Sequence, residues 1–105
     1  MVKDFQKIAA VSAIPPGTIK TAILMGEEVS IANVQGQFYA FQNRCTHVGG
    51  SLGRGKLTGS VVQCPLHGSK FDVKTGAVVR PPAQTPLRTF AVKVENDGVW
   101  VKSAT

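Results

Sequence analysis

The sequence predicts an all-β fold, a sandwich or barrel of short strands, and three observations carry that expectation. Apolar and β-branched runs recur at close spacing, each ended by a turn rich in Gly or Pro. The stretch from Gly49 to Gly59 holds five glycines, too many for a helix. Near the C-terminus Phe90, Val92 and Val94 alternate with Ala91, Lys93 and Glu95, the period-two signature of a half-buried strand.

The first run, Phe5 to Val11, is open between strand and helix, because Phe5, Ile8, Ala9 and Ser12 also sit at helical spacing. Ile14-Pro15-Pro16-Gly17 then breaks the chain. Thr18 to Met25 reads as a strand, Gly26-Glu27 as a turn, and Val29 to Val34 as a second strand. Gln35-Gly36 is a tight turn into Gln37 to Gln42, a strand carrying Phe38, Tyr39 and Phe41. After the glycine-rich stretch, Val61-Val62 forms a short strand leading into Cys64. Phe71 to Val73 and Ala77 to Val79 form a small hairpin around Lys74-Thr75-Gly76. Pro81 to Pro86 is a stiff extended loop, since proline fixes φ and cannot donate to a ladder. Asn96-Asp97-Gly98 is a hairpin turn, and Val99-Trp100-Val101 closes the sheet.

A chain of 105 residues is one domain by length, and 43% hydrophobic with 17% charged residues is the balance of a folded globular protein. No run approaches the ~18–20 apolar residues that span a bilayer. Ile8 to Val11 is too short for the core of a signal peptide. The expectation is a soluble, cytoplasmic monomer with no membrane partner. The net charge is +6. Its bland meaning is solubility; its functional meaning is steering toward an acidic partner. No basic run interleaved with aromatics points to nucleic acid.

The chemistry-bearing residues lie in one stretch. Cys45-Thr46-His47 and Cys64-Pro65-Leu66-His67 hold both cysteines and both histidines of the chain. Two buried thiols and two structural histidines could coincide by chance, or the cysteines could pair as a disulfide. A histidine beside each cysteine, in matched frames followed by glycine, argues against both. Two thiolates and two imidazoles complete a four-ligand metal set. A structural zinc site groups like with like, Cys-x₂₋₄-Cys and then His-x₃₋₅-His. Here each pair is mixed. That is what a two-iron cluster needs when two cysteines hold one iron and two histidines the other.

Cys45-Thr46-His47-Val48-Gly49-Gly50 and Cys64-Pro65-Leu66-His67-Gly68-Ser69 resemble the two cluster-binding loops of Rieske proteins. The flanks match as well: Phe38-Tyr39-Ala40, Phe71-Asp72-Val73, Thr75-Gly76, Pro82-Ala83 and Pro86-Leu87. Small Rieske-type ferredoxins of multicomponent bacterial oxygenases are the nearest likeness, and it extends from Phe5 to Val101. The resemblance implies a single domain, a Rieske-like β-sandwich of about 1–42 and 81–105. A small cluster-binding β subdomain of about 43–80 is inserted in it. It implies a 2Fe–2S cluster held by Cys45, His47, Cys64 and His67. Around it would stand Gly49, Gly50, Leu66, Gly68, Ser69 and Phe71, with Pro81 and Pro82 in a loop covering one side.

Three positions bear on the expected potential. High-potential members tie the two loops by a disulfide, where this chain has Gly50 and Leu66. They also carry a tyrosine donor where this chain has Phe71, a residue that equally suits plain core packing; Ser69 remains as a donor. The potential is therefore expected at the low end of roughly −150 to +300 mV. The function implied is one-electron transfer from a flavoprotein reductase to a terminal oxygenase, with no substrate turnover by this chain. The alternatives are a structural zinc domain that binds a protein, or a subunit of a larger redox complex such as a nitrite reductase. Between Arg44 and Arg80 lie six basic residues, Arg44, Arg54, Lys56, Lys70, Lys74 and Arg80, opposed only by Asp72. The expected docking face is this basic, cluster-bearing end, meeting an acidic face of the partner.

Overall fold

The computed structural model describes residues 5–47, 49–66 and 68–102. Among them there is no α-helix, and hence no helix long and apolar enough to cross a membrane. Strand β1 (Phe5–Ala10) settles the ambiguous first run: it pairs antiparallel with β11 (Gly98–Lys102). Long-range pairing decides here, which local periodicity cannot express.

β2 (Ile19–Leu24), β3 (Glu27–Val34) and β4 (Gln37–Gln42) form an antiparallel meander. Both hairpins turn on two residues with positive φ, Met25-Gly26 (53° and 81°) and Gln35-Gly36 (53° and 90°). This is the type I′ geometry that matches strand twist, with glycine in the second central place. The turn expected at Gly26-Glu27 therefore sits one residue earlier, and Glu27 already pairs with Leu24. Asn96 and Asp97, with φ of 52° and 61°, make a third such turn between β10 (Val92–Glu95) and β11.

The run from Phe90 to Glu95 is not one strand. β9 (Thr89–Phe90) pairs with β4, whereas β10 pairs with β11 in another sheet, and the chain crosses over at Ala91. Phe90 is buried, but Val94 remains 53% exposed. Val94 lies opposite buried Val99, yet at the free edge of its sheet.

A third sheet, β5 (Lys56–Thr58), β6 (Val61–Gln63), β7 (Lys70–Asp72) and β8 (Val78–Arg80), lies wholly within residues 56–80. β5 goes beyond the sequence expectation: Lys-Leu-Thr has one apolar residue, too little for an alternation signal, and pairing with β6 makes it a strand. β7 starts one residue earlier than expected, and β8 one residue later.

The middle sheet, ordered β2-β3-β4-β9, is covered on both faces. Val29, Ile31 and Ala40 pack with Ile14, Val99 and Val101 on one side. Ala32 and Phe41 pack with Leu52, Val62, Phe71 and both cysteines on the other. Two-sided burial explains why β3 is buried continuously from Val29 to Asn33. Its polar members are satisfied, as buried polar groups must be. Ser30 Oγ donates to Asn43 Oδ1 at 2.8 Å, and Asn33 Nδ2 donates to the Ile14 carbonyl at 2.7 Å.

Candidate metal centre

Two loops of like construction rise from this core. The Cys45 N–H donates to the Gly50 carbonyl (2.8 Å), and the Cys64 N–H to the Ser69 carbonyl (2.7 Å). Each cysteine thus bonds the residue five places on, with a left-handed glycine, Gly49 or Gly68, just before the closure. Leading into the first loop is Asn43, whose buried amide acts as a hub. Its Oδ1 accepts from Ser30 Oγ and from the Gly53 N–H, both at 2.8 Å, and its Nδ2 donates to Ser51 Oγ at 3.1 Å. The Leu52 N–H donates to the Asn43 carbonyl (2.8 Å), so the 3₁₀ turn Leu52–Arg54 is tied to the middle sheet.

Cys45 and Cys64 are each 2% exposed, are not disulfide-bonded, and belong to one core cluster. Their sulfurs lie within hydrogen-bonding reach of each other. Burial pushes the Cys64 thiol up; the Leu66 N–H, which favours the thiolate, works against it, and the Cys45 sulfur pushes it up again. A buried thiol raised in this way is held as the thiolate where a cation balances its charge. Thiolate ligation by iron supplies that balance, so the donor chemistry fits a metal centre.

His47 stands exposed on the first loop, and His67 lies outside the described residues. Among the described residues no three His, Cys, Asp or Glu side chains converge on one metal-ion position.

The loops meet at the two positions singled out for the absent bridge. A Cβ on Gly50 would stand 3.0 Å from both Cys64 Sγ and Leu66 Cδ1. Leu66 itself is 47% exposed, and Phe71 is fully buried in the cysteine-containing core. Pro81 and Pro82 are exposed, while Ala83 behind them is buried and its N–H donates to the buried Ser69 Oγ at 3.0 Å. Thr46 Oγ1 donates to the Thr85 carbonyl at 2.6 Å, so the proline-rich segment is fastened to both loops. Sequence reasoning missed Asn43, Thr46 and Ala83. The only signal for Asn43 was a polar residue ending an aromatic strand; Thr46 and Ala83 stand within the loop and flank motifs, but no role was attached to them.

Arg44 lines a cavity with Glu27, Glu28 and Arg88, and Lys74 lines another with Phe38 and Tyr39. Arg54 and Lys56 line a third with Cys64 and Pro65.

The profile of the Rieske [2Fe-2S] domain matches residues 4–91. The chain is 41% identical over 98 residues to the biphenyl dioxygenase ferredoxin subunit of Pseudomonas sp. (strain KKS102), covering 92% of this chain and 90% of that one. It superposes with a TM-score of 0.91 on a chain from a complex of reduced oxygenase and oxidised ferredoxin in carbazole 1,9a-dioxygenase. There the identity is 37%, with 96% of this chain and 94% of that one covered. It superposes equally well, at 0.91 and 29% identity, on the ferredoxin of carbazole 1,9a-dioxygenase from Nocardioides aromaticivorans IC177, with 95% and 98% covered. With its paired cysteine loops and its three antiparallel sheets, the chain belongs to the Rieske [2Fe-2S] domain family, and its cofactor is a Rieske 2Fe–2S cluster.

Proposed function

We propose that this chain is a one-electron carrier, taking an electron from a flavoprotein reductase and passing it to a terminal oxygenase. The observation that carries the reading is the contrast within the site: the two cysteines are buried while His47 on the same loop is exposed. The thiolate end is insulated, and the His47 imidazole reaches the surface where a partner docks. Likeness to ferredoxin components of dioxygenase systems supports the direction of transfer. Cys45, His47, Cys64 and His67 hold the cluster, which supplies one-electron redox chemistry. All four ligands come from the protein, so no coordination site is left for a substrate and the chain is not itself an enzyme. It acts as a cytoplasmic monomer, with residues 1–42 and 81–105 as base and 43–80 as the cluster-bearing part.

The surrounding residues set the potential. The Leu66 N–H favours negative charge on the Cys64 sulfur. Ser69 Oγ accepts from Ala83 and so keeps its own proton for donation toward the cluster. With Phe71 in place of a hydroxyl donor, Ser69 is the one side-chain hydroxyl in this role, and the potential sits at the low end of the Rieske range. Ser69→Ala removes a bond that strengthens as the cluster gains an electron. A differential of about 1–2 kcal/mol lowers the midpoint by roughly 40–90 mV at about 59 mV per factor of ten. Voltammetry checks this; an unchanged midpoint removes Ser69 from the account.

The function is tested on the purified protein. Two irons and two labile sulfides per chain, with the low-average-g resonance of a mixed Cys/His cluster on reduction, are expected. The protein should then be reduced by a dioxygenase-system flavoprotein reductase and reoxidised by the matching oxygenase. Bound zinc without visible absorption, or a cluster that neither partner oxidises or reduces, overturns the reading.

A further inference from the structure

The register of the third sheet places its side chains in rungs. The inner rung, Leu57, Val62, Phe71 and Val78, packs into the cysteine-containing core. Strand alternation therefore turns Lys56, Gln63 and Lys70 outward, Lys56 opposite Gln63 and Gln63 opposite Lys70. On β8 the register shifts between Lys70 and Phe71, so that the exposed Val79 is an extra residue and the exposed Arg80, not Val79, stands opposite Lys70. Three cations and one amide stand in a line roughly 14 Å long, three interstrand steps. Arg54 extends it, lining with Lys56 and Gln63 a cavity of about 320 Å³ whose far wall is Cys64, Pro65 and Gly68. On its other side the rung borders Val61 and the exposed Val79, an apolar patch rimmed by Lys56 and Lys70.

Like charges directly opposite one another destabilise a sheet, and Lys70 faces Arg80 with no acid in the rung. Elsewhere Arg88 is paired with Glu27, and Lys93 with Glu95 at 3.2 Å. Among the described residues no ion pair engages Arg54, Lys56, Lys70 or Arg80. The one acid on this sheet, Asp72, is spent locally, accepting from the Lys74 N–H at 2.9 Å. Gln63 and Lys70 directly precede Cys64 and follow Ser69, so the rung forms the footing of the second cluster loop.

We propose that this outer face of β5–β8 is the surface on which a carboxylate-rich protein partner docks, beside the Cys64 loop rather than around the whole cluster end. The inference rests on the electron-carrier reading and fixes its geometry: Arg54, Lys56, Lys70 and Arg80 receive the partner's acids, and Val61 and Val79 receive an apolar contact. Arg44, which shares its cavity with Glu27 and Glu28, and Lys74, beside Phe38 and Tyr39, lie outside it.

The test follows electron transfer into the oxidised holoprotein from a photoreduced acidic plant-type ferredoxin, whose potential lies below the Rieske range. Lys56→Glu/Lys70→Glu and Arg44→Glu/Lys74→Glu change the net charge equally and differ only in place. The first pair is expected to slow transfer about tenfold or more at low salt, and the second less than about threefold. Absorption spectra should be unchanged in both. Lys70→Glu alone should raise the urea midpoint, by giving Arg80 an opposite charge, while still slowing transfer. Equal slowing by both pairs overturns the surface but leaves the carrier reading intact, as does a Lys70→Glu protein that is slower only because it is less stable. Inorganic phosphate slowing transfer far beyond chloride at the same ionic strength would mark a small-anion site instead and overturn the proposal. A purified chain without a cluster overturns the carrier reading, and this surface with it.

Discussion

Cys64→Ser is expected to yield a protein with background iron, no visible absorption and no electron transfer. Cys64 sits 2% exposed against Cys45, and the two sulfurs are the only cysteine thiols in the chain. A serine hydroxyl occupies the same space but stays protonated, so one of the two thiolates proposed as iron ligands is lost. Among the described residues the nearby hydroxyls are taken: Ser69 Oγ is engaged with the Ala83 N–H, and Thr46 Oγ1 with the Thr85 carbonyl. Iron and sulfide analysis together with the reduced-state resonance checks this. A variant that keeps a full cluster would remove Cys64 from the ligand set. Because metal binding adds to folding free energy, the variant should also unfold at lower urea than the loaded protein.

Gly76→Ala should be the most damaging small substitution away from the ligands. Gly76 has φ of +82°, is buried, and ends the turn whose N–H donates to the Asp72 carbonyl at 2.7 Å. Its own carbonyl accepts from the Leu87 N–H at 2.8 Å, and an added methyl would overlap the Leu87 carbonyl oxygen. The left-handed conformation alone costs an alanine roughly 1–2 kcal/mol. The overlap is with backbone, which no rotamer change relieves, so the total should reach about 4 kcal/mol or more, rare for one methyl. Gly59→Ala is the comparison: φ is +59°, but nothing stands within 4 Å of the added carbon, and about 1 kcal/mol is expected. Urea midpoints separate the two; equal shifts would show that conformation, not contact, sets the cost.

The proposed ligand set could be read from the sequence because its information is local. Cys45, His47, Cys64 and His67 form two mixed pairs, and each pair lies within a single loop. The all-β class was visible for the same reason: glycine and proline turns bound each short run, and Gln35-Gly36 and Asn96-Asp97 are turns by their own backbone preferences. Neighbouring residues also foretold the meander from Ile19 to Gln42, with one turn misplaced by a residue.

What the tertiary structure alone decided is everything set by which strand lies beside which. Alternation says that successive residues face opposite sides, but not which sheet a strand joins, so the crossover at Ala91 and the exposure of Val94 left no mark on the pattern. β5 exists only because Lys56–Thr58 finds β6 beside it. Asn43 is a hub because Ser30, Ser51 and Gly53 converge on it from two other segments. The charge count between Arg44 and Arg80 was in the sequence. The placing of Lys56, Lys70 and Arg80 beside one another across the third sheet came from register, which is fixed by long-range hydrogen bonding and core packing rather than by any one stretch of chain.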